Sequence, residues 1–349
     1  MQDHDISVLT GDADHNTAGK LPGIQTGIWT AVITLPDQRN AIQVLYMAKE
    51  KITRRFFSSV LNEKQPDVIY LNGIFSFRFV LVPLMTADAK KVKIVLCPRG
   101  MLQSGALAGK SLKKKIYLRM LSLSGLVKNI SWHATNNEEA DDIRKIFGSH
   151  AKIITAGNIP RRPYEQPAAT AKKQGALRLV YISLIATKKN LLQLIELVNR
   201  SEGINLDIYG PVKDKDYWQH CLPAIAASQG RVQYKGDLQP QQVQDTFCKY
   251  DASVLLTKGE NFGHALYESL SVGRPVITSY FTPWNELEKK AAGWNLDIAS
   301  DDACLQKLAS ICSMNKHMFA DYCKGAHETA SVYFAGSSGL DNYRAMFTN

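Results

Sequence analysis

The sequence predicts an α/β protein made of two domains, each around a mainly parallel sheet. Three observations carry that prediction. Short apolar runs of strand length alternate with longer segments of helical spacing along the whole chain, the pattern of successive βαβ crossovers. The chain has 349 residues, 45% of them hydrophobic, which exceeds one ordinary core and suits two. Residues 254–277, VLLTKGENFGHALYESLSVGRPVI, spell one complete crossover. Val254, Leu255 and Leu256 form a buried strand, a polar turn follows, helical spacing runs from His264, and Gly273 stands where a helix-ending glycine is expected. Val276 and Ile277 then open the next strand.

In order, residues 6–10 read as a strand, followed by a polar loop up to Gly23. Residues 42–61 are expected to be helical, 68–71 a strand ended by Asn72 and Gly73, and 75–85 a buried helix. A strand at 93–97 ends at Pro98, Arg99, Gly100 and Met101. Residues 112–127 predict an amphipathic helix with Leu112, Ile116, Met120, Leu123 and Val127 on one stripe, expected to pack on the sheet. A strand at 131–135 and a helix at 137–147 with an acidic first turn follow, and 152–155 closes the first domain, residues 1–160. Residues 161–175, rich in Pro, Ala, Lys and Gln, read as a linker. The second domain, 176–335, takes strands at 179–182, 206–209 and 232–234 and helices at 191–199, 217–228 and 240–249. The crossover above, a strand at 293–296 and helices at 302–312 and 316–333 complete it, leaving 336–349 as a C-terminal segment.

The net charge of +10 is unevenly placed. Residues 1–163 hold 23 basic against 13 acidic side chains, while the remainder balances. Residues 89–137 contain no acid but ten bases, among them Lys90, Lys110, Lys113, Lys114, Lys115 and Arg119. Such asymmetry points to an anionic partner of the first half, with a solvated lysine-rich face as the alternative. Nucleic acid is disfavoured, since no aromatic residues interleave with the bases and no nucleic-acid motif is present. Six cysteines without paired spacing suit reduced thiols in a cytoplasmic protein. No stretch is apolar enough to span a bilayer, and Asp3, Asp5, Asp12 and Asp14 are unlike a signal peptide.

The chemistry concentrates in the crossover. Gly263 lets a ligand approach the backbone, and the helix that follows offers unpaired N–H groups and a partial positive charge, a seat for phosphate. Glu260 lies at the carboxyl end of a strand, where open α/β sheets bind ligands, and Glu268 lies about one and a half turns into the helix. Two carboxylates around a phosphate seat suit the hydroxyl pairs of a nucleotide-sugar. A solvated glutamate pair on an ordinary βα unit is the alternative.

The stretch GENFGHALYESLSVGRPVI resembles the glutamate, seven residues, glutamate signature of glycosyltransferase family 4, retaining enzymes of the GT-B fold, which has two Rossmann-like domains and a cleft between them. Thr282, Pro283 and Trp284, with Ala292, Gly293, Trp294 and Asn295, are similar to a bacterial surface-polysaccharide branch of that family. The resemblance covers roughly residue 67 to the C-terminus and is strong over 177–297 and looser before that. It implies a donor-binding second domain and a basic acceptor-binding first domain. Glu260 would be the catalytic residue, orienting the transferred sugar, and Glu268 would bind the ribose. Asn261, Phe262, Gly263 and His264 would line the donor pocket. Thr187, Lys188, Lys189 and Asn190 resemble the family's basic loop, with Lys189 on the diphosphate; many relatives carry an arginine where this chain has Leu184. Arg99 and Gly100 resemble the family's cleft loop, for acceptor or diphosphate contact.

The resemblance further implies a UDP- or GDP-sugar donor, no metal or other cofactor, and a lipid-linked or oligosaccharide acceptor in surface polysaccharide or lipopolysaccharide synthesis. A basic patch at Lys113, Lys114, Lys115 and Arg119, facing an anionic membrane surface, would place the protein peripherally on the inner face of the cytoplasmic membrane. Relatives begin with a further strand and Gly-rich loop, so the start is expected to be short. In proteins of this fold the last helix returns to the first domain, as 339–347 would here. A non-catalytic sugar-nucleotide-binding remnant and a GT-B-like epimerase stay open as rivals.

Overall fold

In the computed structural model, which describes residues 4–13, 19–32, 41–103, 107, 111–168, 171–337 and 340–348, strands and helices alternate as expected. Met1, Gln2, Asp3, Asp14, Lys110 and Gly339 lie outside the described residues. The chain divides into two units, Met1–Gly157 with Gly339–Asn349, and Asn158–Ser338.

The first unit holds two sheets. One has the order β1 (Ser7–Gly11), β3 (Ile42–Met47), β2 (Thr30–Val32), with β1 parallel and β2 antiparallel to β3. Here the expected helix over 42–61 is corrected. Val44, Leu45 and Met47 are buried, and as the middle strand of three this segment is hydrogen-bonded along both of its edges. The helix starts only at α1 (Arg54–Lys64), where the side chain of Thr53 accepts the Phe56 N–H at 3.2 Å and stops extension backwards.

The second sheet runs β4 (Val68–Asn72), β5 (Lys93–Cys97), β6 (Ser131–Ala134), β7 (Lys152–Thr155), all parallel. Between β4 and β5 the buried helical segment is one π turn, Phe77–Leu81, running into α2 (Val82–Thr86). Helix α3 (Ser111–Leu123) joins β5 to β6, and α4 (Asn137–Phe147) joins β6 to β7. Ile69, Leu71, Ile94, Leu96 and Trp132 fill the core with Phe147, whose ring lies 4.4 Å from that of Trp132. The final helix of the chain, Leu340–Phe347, packs Met346 against Val95 and Ala156 of this unit. The ammonium of Lys93 donates to the carbonyl of Ala345 at 3.0 Å and to that of Thr348, favourable charge at a helix C-terminus.

The second unit is one six-stranded parallel sheet. Its order is β10 (Val232–Tyr234), β9 (Ile204–Tyr209), β8 (Leu177–Ile182), β11 (Ala252–Leu255), β12 (Val276–Ser279), β13 (Gly293–Leu296). The chain winds outward from β8 through β9 to β10, then returns to β11 and winds the other way. Ala252 therefore pairs with Leu179, and Ser253 with Val180. That junction of β8 and β11 is the topological switch point, whose carboxyl side is where such sheets hold ligands.

Of the segment expected as a linker, 161–175, the described residues 161–168 and 171–175 belong to the second unit and hydrogen-bond within it. Tyr164 N–H donates to Ser271 and Ala168 N–H to Val272, each at 3.0 Å. Lys172 is buried with its ammonium on the carbonyls of Cys312 (2.8 Å) and Met314 (3.2 Å), at the C-terminus of helix Asp301–Ser313. Buried Arg274 donates to Ala168 and Cys248 carbonyls at 2.8 and 3.0 Å, tying the same segment down. Composition reads such a stretch as loose; its backbone hydrogen bonds and two buried cations fix it.

Candidate active site

The site grows from the loops after β8 and β11. Thr257, fully buried, donates its hydroxyl to the carbonyls of Lys188 (3.2 Å) and Gly259 (3.0 Å). Lys258 N–H donates to Lys188 O at 2.9 Å and Glu260 N–H to Phe281 O at 2.9 Å. The loop carrying Glu260 is therefore stitched both to the loop carrying Lys189 and to the end of β12. Gly263 adopts φ +78°, a left-handed conformation, and a Cβ there would meet Leu266 at 3.0 Å and Glu260 at 3.2 Å. It caps the helix His264–Ser271 that carries Glu268.

The ammonium of Lys189 is ion-paired and hydrogen-bonded to the carboxylate of Glu260, with side chains 17% and 19% exposed. Lys189 ends the tight turn Thr187–Lys189, and Asn190 follows in the left-handed region at φ 57°, which turns the chain into helix Leu191–Asn199. Two residues 71 apart in sequence thus meet at the switch point.

Glu268 faces a different cation. Its carboxylate lies 3.8 Å from the Arg161 guanidinium and is 20% exposed. Burial pushes its pKa above the usual carboxylate value, and Arg161 pulls the other way. Arg161, which also donates to the Pro240 carbonyl at 2.9 Å, carries no motif signal in the sequence.

Phe262 is largely buried. Its ring is 7% exposed and sits in an aromatic cluster with Trp284 (5.6 Å), Tyr333 (5.4 Å) and Tyr267 (6.0 Å). The indole N–H of Trp284 donates to the Phe262 carbonyl. Asn295 in turn accepts Leu287 N–H at 3.2 Å and donates to Trp284 O at 2.8 Å. Thr282, Trp284 and Asn295, singled out in the sequence, are the scaffold under the loop. His264 is exposed and edge-on to Phe262 at 4.7 Å; Asn261 is half-buried beside it.

In the first unit, Arg99 (φ 55°) and Gly100 (φ 72°) turn the chain at the carboxyl end of β5. The Arg99 guanidinium donates to Asn72 Oδ1 at 2.8 Å and to the Tyr70 hydroxyl at 3.3 Å. Tyr70 lies 2.7 Å from His133 Nδ1, and His133 Nε2 lies 2.8 Å from the Ala156 carbonyl. A carbonyl only accepts, so the proton sits on Nε2 and Tyr70 donates to Nδ1. Burial keeps His133 neutral by pulling its pKa below the usual imidazole value. Glu139 lies in the acidic first turn of α4, as expected, and is fully buried. Its carboxylate accepts Thr135 N–H at 2.8 Å, Thr135 Oγ1 at 2.7 Å and the Gly100 N–H, which holds the Arg99–Gly100 turn in place. Its position three residues after the N-cap Asn136 was the available signal.

Lys113, Lys115 and Arg119 are exposed, whereas Lys114 turns inward with its ammonium 5.5 Å from the Phe75 ring. Among the described residues no helix is long and apolar enough to cross a membrane. Among them, too, no cluster of His, Cys, Asp or Glu forms a metal site.

Residues 164–324 match the family model described as "Glycosyl transferases group 1". No curated protein matches the chain. Among solved structures, Anabaena HepE in complex with UDP and glucose is 14% identical with TM-score 0.67, covering 87% of this chain and 86% of that one. Sucrose-phosphate synthase from Thermosynechococcus elongatus is 13% identical with TM-score 0.70, covering 98% and 99%. S. aureus TarM is 15% identical with TM-score 0.60, covering 77% of this chain and 53% of that one. These likenesses establish the GT-B fold with its two Rossmann-like units. Lys189, Glu260 and Glu268 all lie within 164–324, the part of the chain that matches the glycosyltransferase group 1 model and that supports a nucleotide-sugar-dependent glycosyltransferase.

Proposed function

We propose that the protein is a retaining enzyme of glycosyltransferase family 4 that moves a sugar from a UDP- or GDP-sugar to a lipid-linked or saccharide acceptor. The observation that carries this is the Lys189–Glu260 pair at the switch point, next to the helix that begins after Gly263. A cation and a carboxylate facing each other in an open α/β sheet suit opposite ends of one donor. The ammonium suits the diphosphate, and the carboxylate suits hydroxyls of the sugar. The HepE complexes with UDP and with UDP-glucose support a uridine donor.

Donor entry exchanges one contact for another: Lys189 leaves Glu260 for the diphosphate, and Glu260 turns to the sugar. As the glycosidic C–O bond to phosphate breaks, negative charge gathers on the leaving diphosphate, which Lys189 and the N–H groups after Gly263 stabilise. The acceptor hydroxyl attacks from the same face and gives its proton to the leaving phosphate. No protein nucleophile is assigned. Glu260 orients the sugar and stabilises its developing positive charge; Glu268 holds the ribose hydroxyls. His264 and Asn261 complete the donor side. Phe262 acts through the backbone it anchors.

The acceptor is assigned to the basic first unit, with Arg99 and Gly100 as candidate contacts. The product class is surface polysaccharide or lipopolysaccharide, made peripherally on the inner face of the cytoplasmic membrane. The test is thermal unfolding with UDP, GDP and their glucose conjugates, since a ligand of the native state raises Tm. A rise with one nucleotide series that is lost in Lys189→Met supports the reading. No rise with any of them would overturn it.

A further inference from the structure

The apolar stripe of α3 (Ser111–Leu123) faces outward. Leu112, Ile116, Met120 and Leu123 are 70%, 50%, 67% and 77% exposed, whereas Leu118 and Leu121 are buried. The expectation that this stripe packs on the sheet is therefore reversed; only Val127, beyond the helix, is half-buried. The orientation is fixed from the other side. Tyr117 donates its hydroxyl to the Ile74 carbonyl at 2.7 Å, its ring lies 5.5 Å from Phe75, and Lys114 reaches over the same ring.

At ~100° per residue the four outward side chains span an arc of about 80°. Lys113 borders that arc on one side, and Arg119 and Lys115 border it on the other, all three exposed. A contiguous exposed apolar patch rimmed by bases is uncommon on a soluble monomer. It is the arrangement of a helix lying in a bilayer interface, apolar side chains down and cations level with the headgroups. The surroundings favour an anionic surface, because no acidic residue occurs anywhere in 89–137.

We propose that α3 is an interfacial anchor. Leu112, Ile116, Met120 and Leu123 insert into the outer part of an anionic bilayer leaflet, while Lys113, Lys115 and Arg119 contact its phosphates. This deepens the peripheral membrane association proposed above and makes it a combined apolar and electrostatic attachment. It uses none of the sugar chemistry, so its test contains neither donor nor acceptor and its failure leaves the donor site untouched.

The test is co-sedimentation with two kinds of vesicle, phosphatidylcholine alone and phosphatidylcholine with one third phosphatidylglycerol, at low and high salt. The wild type is compared with two variants. One carries Leu112→Ser, Ile116→Ser, Met120→Ser and Leu123→Ser; the other carries Lys113→Gln, Lys115→Gln and Arg119→Gln. All seven side chains are exposed, and an unchanged Tm confirms folding of both. Each basic residue near an anionic surface is worth about fivefold in affinity, so the glutamine variant should lose roughly 100-fold at low salt. The serine variant should lose at least about tenfold at both salts, because salt screens charge and not apolar transfer. Met120→Cys labelled with an environment-sensitive fluorophore should shift its emission to the blue on anionic vesicles.

Equal binding by the serine variant and wild type, or no emission shift, overturns insertion. So does a wild type that fails to bind vesicles but sediments as a dimer, with the serine variant monomeric. That result would make the stripe an interface between two copies.

Discussion

Separating Lys189 from Glu260 tests the donor site most directly. Both side chains are less than one-fifth exposed, which places the pair between two regimes. Exposed pairs contribute about 0.2–1 kcal/mol, and removing one partner of a fully buried pair costs about 3–5 kcal/mol. Each single variant, Lys189→Met or Glu260→Gln, should therefore lose about 2 kcal/mol, and the double variant should lose less than the sum of the two. For a unit the size of Asn158–Ser338 this is about 2–4 °C of Tm per kcal/mol. The double-mutant cycle, by differential scanning fluorimetry and chemical unfolding, isolates the pair term.

Nucleotide binding should separate the two residues. Glu260→Gln leaves the Lys189 ammonium without its internal competitor, so UDP or GDP affinity should hold or rise up to about tenfold. Lys189→Met removes a charge-assisted contact worth about 1.5–3 kcal/mol and should weaken binding at least about tenfold. Turnover should fall in both, in Glu260→Gln through kcat by about two orders of magnitude. If Glu260→Gln weakens nucleotide binding as much as Lys189→Met, the exchange of partners is wrong.

Two further outcomes follow from the geometry. Ribose hydroxyls donate to an ionised Glu268, whose pKa burial raises; affinity should thus be full above the raised value and fall as pH drops through it. Titration calorimetry should show that fall beginning at higher pH in Arg161→Gln and absent in Glu268→Gln. At Gly293 (φ 150°) an added Cβ would lie 2.0 Å from the Val276 carbonyl, between β12 and β13, so Gly293→Ala should cost more than about 3 kcal/mol. Gly230→Ala, with a left-handed φ but nothing within 4 Å, should cost only about 1 kcal/mol in the same unfolding assay.

The sequence by itself determined the alternation of strands and helices, because βαβ units write their periods locally. It also determined the crossover over 254–277 and the glutamates spaced along it, since strand, turn and helix are contiguous there. Other features needed the tertiary structure. Residues 42–47 became a strand because a short apolar run takes its state from its neighbours, here β1 and β2. The stripe on α3 is equally periodic whether it faces core or solvent, and the second stripe, Leu118 and Leu121, won the core. Phe262, adjacent to the site in sequence, was taken into an aromatic cluster whose other members come from Tyr267, Trp284 and Tyr333. The pairings of Lys189 with Glu260 and of Arg161 with Glu268 join residues far apart in the chain. Periodicity records which faces of an element are apolar. Which of those faces is buried, and which charge meets which, is set by the order in which strands are laid beside one another, and that order is not written in any one segment.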